Sequence, residues 1–268
     1  MFNKFLIQLN SMEKNTLSNI FQVLKRLDIQ YDTFFTISNK STISDIERFE
    51  NKFNYITIGG VSFLRMIESF NSYLKESVDY DINKFDQFTY KDLNLPLLNH
   101  NASYHLFNDV KNKKYNRDMF IKPSKDIKSF NGGILLKNET LLEYLKRTQA
   151  DIEKSLNENI IVSELQHIFY EYRFFMYNDE ILECSRYKWN NQYSPSNVVP
   201  DYIKEKAIEY SKLYKPKDIF VIDLAETNKN ISIVEYQCWN ISAFYDCNLF
   251  SLLGKINEIK TKKEYYVN

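Results

Sequence analysis

The sequence is poor in the residues that build zinc sites and disulfide frameworks. Its 268 residues include only three cysteines and three histidines, and these are widely spaced along the chain. Zinc sites and disulfide frameworks need more of these residues at closer and more regular spacings. We therefore expect neither kind of site, and we interpret the cysteines as small buried thiols.

Net charge and long apolar runs are also lacking. Lys and Arg number 35 and so do Asp and Glu, whereas proteins that coat nucleic acid or bind anionic membranes carry a basic excess. No uncharged apolar run approaches the roughly 18 residues of a spanning helix, and residues 5–7 are too short for a signal-peptide core. Because 44% of the residues are hydrophobic and 16% aromatic, a disordered chain is excluded. We expect a soluble, cytoplasmic protein.

Glycine is the third scarce residue. The chain has five glycines, and four of them form two adjacent pairs, Gly59 with Gly60 and Gly132 with Gly133. Glycine pairs in so glycine-poor a sequence favour places where the backbone takes a positive φ or approaches a ligand closely. Two ordinary turns are the alternative interpretation.

The order of predicted elements indicates a mixed α/β and α+β protein. Residues 1–80 alternate apolar runs with stretches of helical spacing, which predicts a small parallel α/β domain. Residues 81–115 are less regular and contain Pro96, so we interpret them as a connecting segment. The remaining strands are predicted over residues 119–123, 134–136, 159–166, 170–177, 181–187, 219–225 and 231–237.

The clearest chemical signal is a pair of carboxylates in the last predicted hairpin. Asp223 and Glu235 each interrupt an apolar strand, and a turn centred on Lys229 would set them opposite each other. Like charges that face each other across a ladder are destabilising, and burying either one unpaired is costly. A cation between them removes the conflict, and Mg²⁺ favours carboxylates together with phosphate oxygens. A register shifted by one or two residues would instead separate the acids.

Two further segments could bind anionic groups. Lys122 ends a strand, Lys128 follows six residues later, and a glycine pair closes the loop, so ammonium groups and glycine amides could cradle phosphates. A solvated loop is the alternative. Arg173 lies in an aromatic strand on the same face as Glu171, where its planar fork suits a carboxylate or a phosphate. A salt bridge to Glu171 or Glu183 explains the same pattern.

The succession of these segments resembles the ATP-grasp superfamily, specifically its clade characterised by one arginine and two lysines. Residues 120–133, 162–187 and 219–245 carry the resemblance. It implies an ATP-grasp fold over residues 116–268, in which a small lobe (about 116–166) and a large lobe (about 167–268) clamp ATP. Both lobes would be α+β, and the α/β domain at residues 1–80 would precede them.

The resemblance also implies roles for individual residues. Arg173 and Lys128 would be catalytic, with Arg173 binding the transferred phosphate or the substrate carboxylate. Asp223 and Glu235 would hold Mg²⁺, and either Gln237 or Asn240 would complete the metal site, because many members have an asparagine two residues after the last glutamate. The implied ATP contacts are Lys122, Lys128, Ser129, Gly132, Gly133, Glu164, Leu165 and Gln166.

The activity implied by this resemblance is that of an ATP-dependent carboxylate–amine ligase. A carboxylate would be activated as an acyl phosphate with release of ADP, and an amine would then displace the phosphate, on a peptide or an amino acid. ATP and Mg²⁺ are the implied cofactors, and neither nucleic acid nor a membrane is an expected partner. Two alternatives stay open. One is an ATP–Mg-binding assembly factor, similar to the ATP-grasp assembly factor of eukaryotic initiation factor two, and the other is a degenerate, non-catalytic ATP-grasp protein.

Overall fold

The computed structural model describes residues 2–36, 53–69, 74, 77–125 and 129–265. Their strands form three sheets, one parallel and two antiparallel. This arrangement is the mixed α/β and α+β class that the sequence predicts. Within the described ranges, no helix has both the length and the apolar character needed to cross a lipid bilayer.

The N-terminal unit is a three-stranded parallel sheet of order β2-β1-β3 with helices in its connections. Helix α1 turns Leu17, Ile20 and Leu24 toward the sheet, which is the spacing of one helix face. The unit consists of β1 (Phe2–Gln8), α1 (Lys14–Arg26), β2 (Tyr31–Phe34), β3 (Phe53–Ile58) and α2 (Val61–Ser69). The predicted parallel topology is confirmed.

The small lobe is built on a four-stranded antiparallel sheet of order β4-β7-β5-β6. One of its helices begins with a reciprocal capping box, which Thr140 forms with Glu143. The chain reaches this lobe after α3 (Gln87–Tyr90), whose Tyr90 belongs to a core of the large lobe. The elements of the lobe are β4 (Ser103–Leu106), α4 (Phe107–Val110), β5 (Met119–Pro123), β6 (Gly133–Leu135), α5 (Leu141–Arg147), α6 (Ile152–Ser155) and β7 (Asn159–Glu164). Strand β4 lies in the predicted connecting segment, so the sheet starts earlier than residue 116.

The large lobe is built on a five-stranded antiparallel sheet of order β10-β9-β8-β11-β12. Helix α7 packs on one face of this sheet and helix α8 on the other. The elements are β8 (Ile168–Tyr177), β9 (Glu180–Trp189), β10 (Gln192–Ser196), α7 (Asp201–Leu213), β11 (Ile219–Thr227), β12 (Ile231–Gln237), a 3₁₀ turn (Trp239–Ile241) and α8 (Leu249–Tyr265).

The hydrophobic cores show which units are joined. Phe5 and Ile7 of β1 share a core with Val221 of β11 and with Leu252 and Ile256 of α8. A second core likewise combines residues of the N-terminal unit with residues of the large lobe. The small lobe has a core of its own, formed by residues between 107 and 162. The N-terminal unit and the large lobe are therefore packed as one body.

The cysteines are buried or partly buried, as the sequence predicts. Cys238 and Cys247 are buried, and Cys184 is partly exposed. Burial raises the pKa of Cys184 to about 11 and that of Cys247 to about 12. Both thiols are protonated at neutral pH and are poor nucleophiles.

The paired glycines are explained by close packing. None of the glycines in the described part of the chain has a positive φ. A Cβ on Gly132 would lie 3.0 Å from the Cβ of Lys122, and one on Gly133 would lie 2.5 Å from Oη of Tyr144. The glycines therefore allow protein side chains to approach the backbone closely, and the expected positive φ is wrong.

Replacing Gly133 by alanine is expected to lower the free energy of unfolding by about 1–3 kcal/mol. The Tyr144 ring is buried, and its hydroxyl donates to the Asn131 carbonyl at 2.9 Å. Moving the ring away from the new methyl group would therefore disturb the core and this hydrogen bond. Gly254→Ala is the control, because this position in α8 meets only Leu27 methyl groups at 3.7 and 3.9 Å. It should stabilise the protein by about 0.5–1 kcal/mol. Urea unfolding measures both, and equal stability of Gly133→Ala and the parent would contradict the packing explanation.

Candidate functional site

A row of charged side chains crosses the sheet of the large lobe. Arg173 on β8 pairs in register with Asp223 on β11, and Asp223 pairs with Glu235 on β12. Farther along the same face, Phe175 and Val221 belong to a hydrophobic core. Strand alternation thus carries one face of the sheet from an apolar core to a charged cluster.

A β-bulge sets the register that brings the two acids together. Ala225 pairs with Ser232 and Leu224 with Ile233, but Asp223 pairs with Glu235, so Val234 is the extra residue. Ile233 therefore joins the core on the opposite face, while Glu235 faces Asp223. The predicted pairing of Asp223 with Glu235 is confirmed, although its cause is the bulge and not a turn centred on Lys229. Bulges commonly re-aim side chains next to functional sites.

Arg173 and Asp223 form a buried, bidentate ion pair. The Nε and Nη2 atoms of Arg173 donate to the two carboxylate oxygens of Asp223 at 2.9 and 2.7 Å. The side chains are 5% and 2% exposed, so neither charge is compensated by water. Two further N–H groups have partners, since Nη1 donates to the Ala243 carbonyl at 3.2 Å and Nη2 to Oε1 of Gln237 at 2.9 Å.

Lys122 connects the small lobe to this cluster. Its Nζ lies 2.8 Å from Oε2 of Glu235, which makes a salt bridge between β5 and β12. The amide nitrogen of Gln237 donates to the other oxygen of Glu235 and approaches Asp223 at 3.5 Å. Side chains of both lobes therefore meet at one place, with two acids, two bases and one amide.

The pKa values of the two acids are shifted in opposite directions. Burial raises the pKa of Asp223, and the charge of Arg173 opposes this only in part. Burial also acts to raise the pKa of Glu235, but the charge and hydrogen bond of Lys122 outweigh it and lower the pKa to about 2. Glu235 is therefore ionised throughout the physiological range.

Two stacked tyrosine rings cover the guanidinium of Arg173. The rings of Tyr187 and Tyr245 are 4.6 Å apart and nearly parallel, and the Cζ atom of Arg173 lies 4.9 Å from the Tyr245 centroid. The Tyr187 hydroxyl donates to Glu171 at 2.5 Å. Tyr245 has a φ of 49°, a left-handed conformation that costs a non-glycine residue roughly 1–2 kcal/mol.

The loop between β5 and β6 holds several of the predicted ATP contacts. Gly132 packs directly on Lys122, and Ser129 lines a large cavity next to the charged cluster. The Oγ atom of Ser129 is buried and has no hydrogen-bond partner among the residues that the structure describes. Lys128, predicted to bind phosphate and to be catalytic, lies outside the described residues.

The remaining predicted ATP contacts, Glu164, Leu165 and Gln166, lie at the end of β7, where the chain passes to the large lobe. Glu164 ends the strand and its carboxylate lies 2.5 Å from Nη2 of Arg117 in an exposed salt bridge. Leu165 and Gln166 are exposed between β7 and β8. These three residues are therefore accessible and lie apart from the buried ion pairs.

Asn240 is not part of the charged cluster. Its Nδ2 donates to the Thr57 carbonyl at 2.6 Å, and its Oδ1 accepts from the Asp79 backbone amide at 3.2 Å. The side chain is fully buried and connects the large lobe to β3 of the N-terminal unit. Of the two residues predicted to complete the metal site, Gln237 contacts both acids, whereas Asn240 contacts Thr57 and Asp79.

The oxygen atoms of the cluster suit a magnesium ion chemically. Mg²⁺ prefers hard oxygen ligands and commonly takes one or two carboxylates together with phosphate oxygens. Asp223 and Glu235 supply the carboxylates, and Gln237 supplies a neighbouring amide. Groups of three or more His, Cys, Asp or Glu that could bind a metal on their own are absent from the described residues, so phosphate or water ligands would be required.

A cavity of about 1230 Å³ adjoins the cluster and is lined by all three units. The N-terminal unit contributes Gly60 and Arg65, and the small lobe contributes Ser129 and Glu158. On the large-lobe side, Tyr245 lines the cavity and contacts Arg173 behind it. The volume of the cavity exceeds the roughly 300–1,000 Å³ of typical small-molecule pockets.

Sequence reasoning missed three contributors to this site. Tyr245 contacts Arg173 through its ring, Ala243 through its carbonyl, and the Ser242 hydroxyl donates to Gln237 at 3.2 Å. All three follow the last strand in a segment without regular periodicity. Their only signal in the sequence was proximity to Glu235.

The chain matches a family model over residues 101–251. The model describes an ATP-grasp domain, family 2 of the clade with one arginine and two lysines. A search of curated proteins found no match. The matched range contains every member of the charged cluster.

Solved structures with a similar fold include D-alanine–D-alanine ligase from Bacillus anthracis complexed with ATP, at a TM-score of 0.64 and 10% identity over 100% of both chains. D-cycloserine synthetase DcsG has a TM-score of 0.58 and 9% identity, over 97% of this chain and 100% of its own. The ATP-grasp ligase PsnB, complexed with a minimal precursor, has a TM-score of 0.53 and 11% identity over the same shares. Likeness at such low identity establishes the fold, and it confirms the fold class predicted from the sequence.

Proposed function

We propose that the chain, which belongs to family 2 of the ATP-grasp clade with one arginine and two lysines, is an ATP-dependent ligase. The ligase joins a carboxylate to an amine. The carboxylate is activated as an acyl phosphate, and a peptide or an amino acid is the substrate. One of the solved ligases of similar fold is named for D-alanine, which is an amino acid. This name supports the proposed substrate class.

The observation that carries the proposal is the convergence of charged groups from two lobes. Lys122 of the small lobe reaches Glu235 of the large lobe, and Arg173 holds Asp223 beside it. Each basic group is paired with an acid that suits magnesium, so the charges of the site balance. With these acids holding magnesium, both basic groups would be available to phosphate oxygens.

In the first step, a carboxylate oxygen of the substrate attacks the γ-phosphorus of ATP. The bond from that phosphorus to the β,γ-bridging oxygen breaks, and ADP leaves with the electron pair. Lys122 and Arg173 bind and orient the oxygens that gain negative charge. Positioning and charge stabilisation account for most of the catalysis in such transfers.

In the second step, the amine nitrogen attacks the acyl carbon. The carbon–oxygen bond to phosphate breaks, inorganic phosphate leaves, and the nitrogen loses one proton to solvent or to a base. The wall of the cavity keeps water from the acyl phosphate, which would otherwise be hydrolysed.

Asp223 and Glu235 would hold Mg²⁺, which when bound neutralises phosphate charge and orients the triphosphate. Gln237 stands where many relatives of this clade have asparagine. Its longer side chain contacts both acids and Arg173, so it keeps the cluster assembled in the absence of a nucleotide.

The test is to incubate the protein with ATP, Mg²⁺ and pools of amino acids and short peptides, and to measure ADP, phosphate and new amide products by mass spectrometry. The expected result is ADP and phosphate in equal amounts with one new amide per ADP. Omitting Mg²⁺ should abolish ADP formation. ATP binding without ADP formation in any pool would contradict the ligase and support the non-catalytic ATP–Mg-binding protein, for which the balanced ion pairs and Gln237 are equally suitable.

A further inference from the structure

The backbone of Tyr245 is unusual among the described residues. The non-glycine residues with positive φ are otherwise aspartate, asparagine or glutamine, whose short or amide side chains are found in this conformation more often than aromatic ones. Tyr245 holds the conformation while its ring stacks on Tyr187 and lies over Arg173. Backbone conformations of this kind persist where the surrounding structure requires them, and they cluster at functional sites.

The ring contacts a part of Arg173 that the hydrogen bonds leave unused. The bonds to Asp223, Gln237 and Ala243 all leave through the N–H groups of the guanidinium, whereas the contact with Tyr245 places the guanidinium carbon over the ring, 4.9 Å from its centroid. A cation–π contact therefore does not compete with the hydrogen-bond partners of the same arginine.

We propose that Tyr245 is a positioning residue, which keeps the Arg173 guanidinium in place by a cation–π contact with its ring. This inference rests on the proposed function, in which Arg173 binds the transferred phosphate. Without the ring, the hydrogen bonds to Asp223, Gln237 and the Ala243 carbonyl would remain, but the guanidinium would be free to tilt about them. Its N–H groups would then no longer be aimed at the transferred phosphate.

The kinetic test compares Tyr245→Leu, Tyr245→Phe and the parent protein, with Tyr31→Leu as the matched control. Tyr31 also stacks on an aromatic ring, Phe21, at 4.8 Å, but it lies in the N-terminal unit. We expect Tyr245→Leu to lower kcat at least tenfold with the KM for ATP changed less than threefold. Tyr245→Phe should keep at least half of the parental kcat, because the contact uses the ring, and Tyr31→Leu should keep all of it.

A role in folding alone would give a different pattern. It would lower the thermal midpoint of Tyr245→Leu without a selective effect on kcat. Tyr245→Asn separates the two roles, since asparagine accepts a positive φ readily. We expect this variant to keep the parental thermal midpoint within about 3 °C and to lose kcat as Tyr245→Leu does. The proposal would be overturned if Tyr245→Leu kept the parental kcat. It would also be overturned if Tyr245→Asn lost kcat and its thermal midpoint fell as well.

A second measurement does not depend on turnover, so the failure of the ligase proposal is distinguishable from the failure of this one. Phenylglyoxal modifies accessible arginines, and mass spectrometry reports the rate at Arg173, which is only 4% exposed in the structure. Without any nucleotide, we expect Tyr245→Leu to be modified at Arg173 at least three times faster than the parent, and Tyr31→Leu at the parental rate. Equal rates in Tyr245→Leu and the parent would overturn the positioning role, even in a protein that forms no ADP.

Discussion

Replacing Arg173 by methionine is expected to abolish ADP formation and to lower the free energy of unfolding by about 3–5 kcal/mol. The loss of stability follows from Asp223, whose carboxylate is almost fully buried and would remain without its counter-charge. The loss of activity follows from the proposed role of Arg173 on the transferred phosphate. Urea unfolding and an ADP assay measure the two effects separately.

A second substitution separates the stability of this site from its chemistry. In Arg173→Met/Asp223→Leu both buried charges are gone, and apolar side chains of similar size fill their space. Such exchanges of a buried ion pair are often neutral or stabilising, so we expect the double variant to recover at least half of the lost stability. ADP formation should stay absent. Recovered activity would show that the ion pair is structural and would remove Arg173 from the mechanism.

Arg117→Met is the control for this pair of variants. Arg117 also forms a salt bridge, with Glu164, but both side chains are more than half exposed. Exposed pairs contribute only about 0–1 kcal/mol. A loss of more than about 2 kcal/mol in the control would show that burial is not the cause of the effect at Arg173.

Replacing Glu235 by glutamine is expected to lower ADP formation by a factor of about 100 to 1000, the effect of removing one well-placed electrostatic group from an active site. The substitution keeps the shape of the side chain and removes the charge that would hold magnesium. It also leaves Lys122 without the acid that lies 2.8 Å from its Nζ. Mn²⁺ titration followed by electron paramagnetic resonance, in the presence of a non-hydrolysable ATP analogue, should show weaker metal binding. Glu209→Gln, on the exposed side of α7, is the control and should match the parent.

The pH dependence of stability provides a further test of the same variant. The pKa of Glu235 is lowered from the usual 4.5 to about 2. A depressed carboxyl pKa stabilises the folded state above the unfolded pKa, and this contribution is lost as the pH falls toward the folded pKa. The stability advantage of the parent over Glu235→Gln should therefore be constant above about pH 5 and shrink between about pH 4.5 and 2. An advantage that grows as the pH falls would contradict the ion pair with Lys122.

Local alternation within strands was enough to predict that Arg173 shares a face of β8 with Glu171 and Phe175. Asp223 and Glu235 each interrupt an apolar strand, but alternation alone does not bring Glu235 to Asp223, because that pairing depends on the bulge. Lys122 reaches them because its strand ends toward the large lobe, which the order of segments in the ATP-grasp resemblance implied.

The remainder depends on tertiary structure that no local pattern encodes. The bulge at Val234 is a difference of one residue between two strands, and β-branched valine fits a bulged and a regular strand equally well. Asn240 was expected near the acids because of its distance along the chain, but the 3₁₀ turn that follows β12 directs it to the N-terminal unit. Strand β4 has only four residues, and its pairing with β7 is set by a partner more than 50 residues away.

The separate core of the small lobe determines how a ligand can enter. Parting the N-terminal unit from the large lobe would expose two shared cores to water, whereas the small lobe carries its own core and keeps it during a rigid-body rotation. Opening the site is then a movement of the small lobe against a fixed frame, and the chain connects the two between residues 97 and 103 and between residues 164 and 168. The salt bridge from Lys122 to Glu235 spans the gap that must widen, so its rupture is a condition for the entry of a nucleotide.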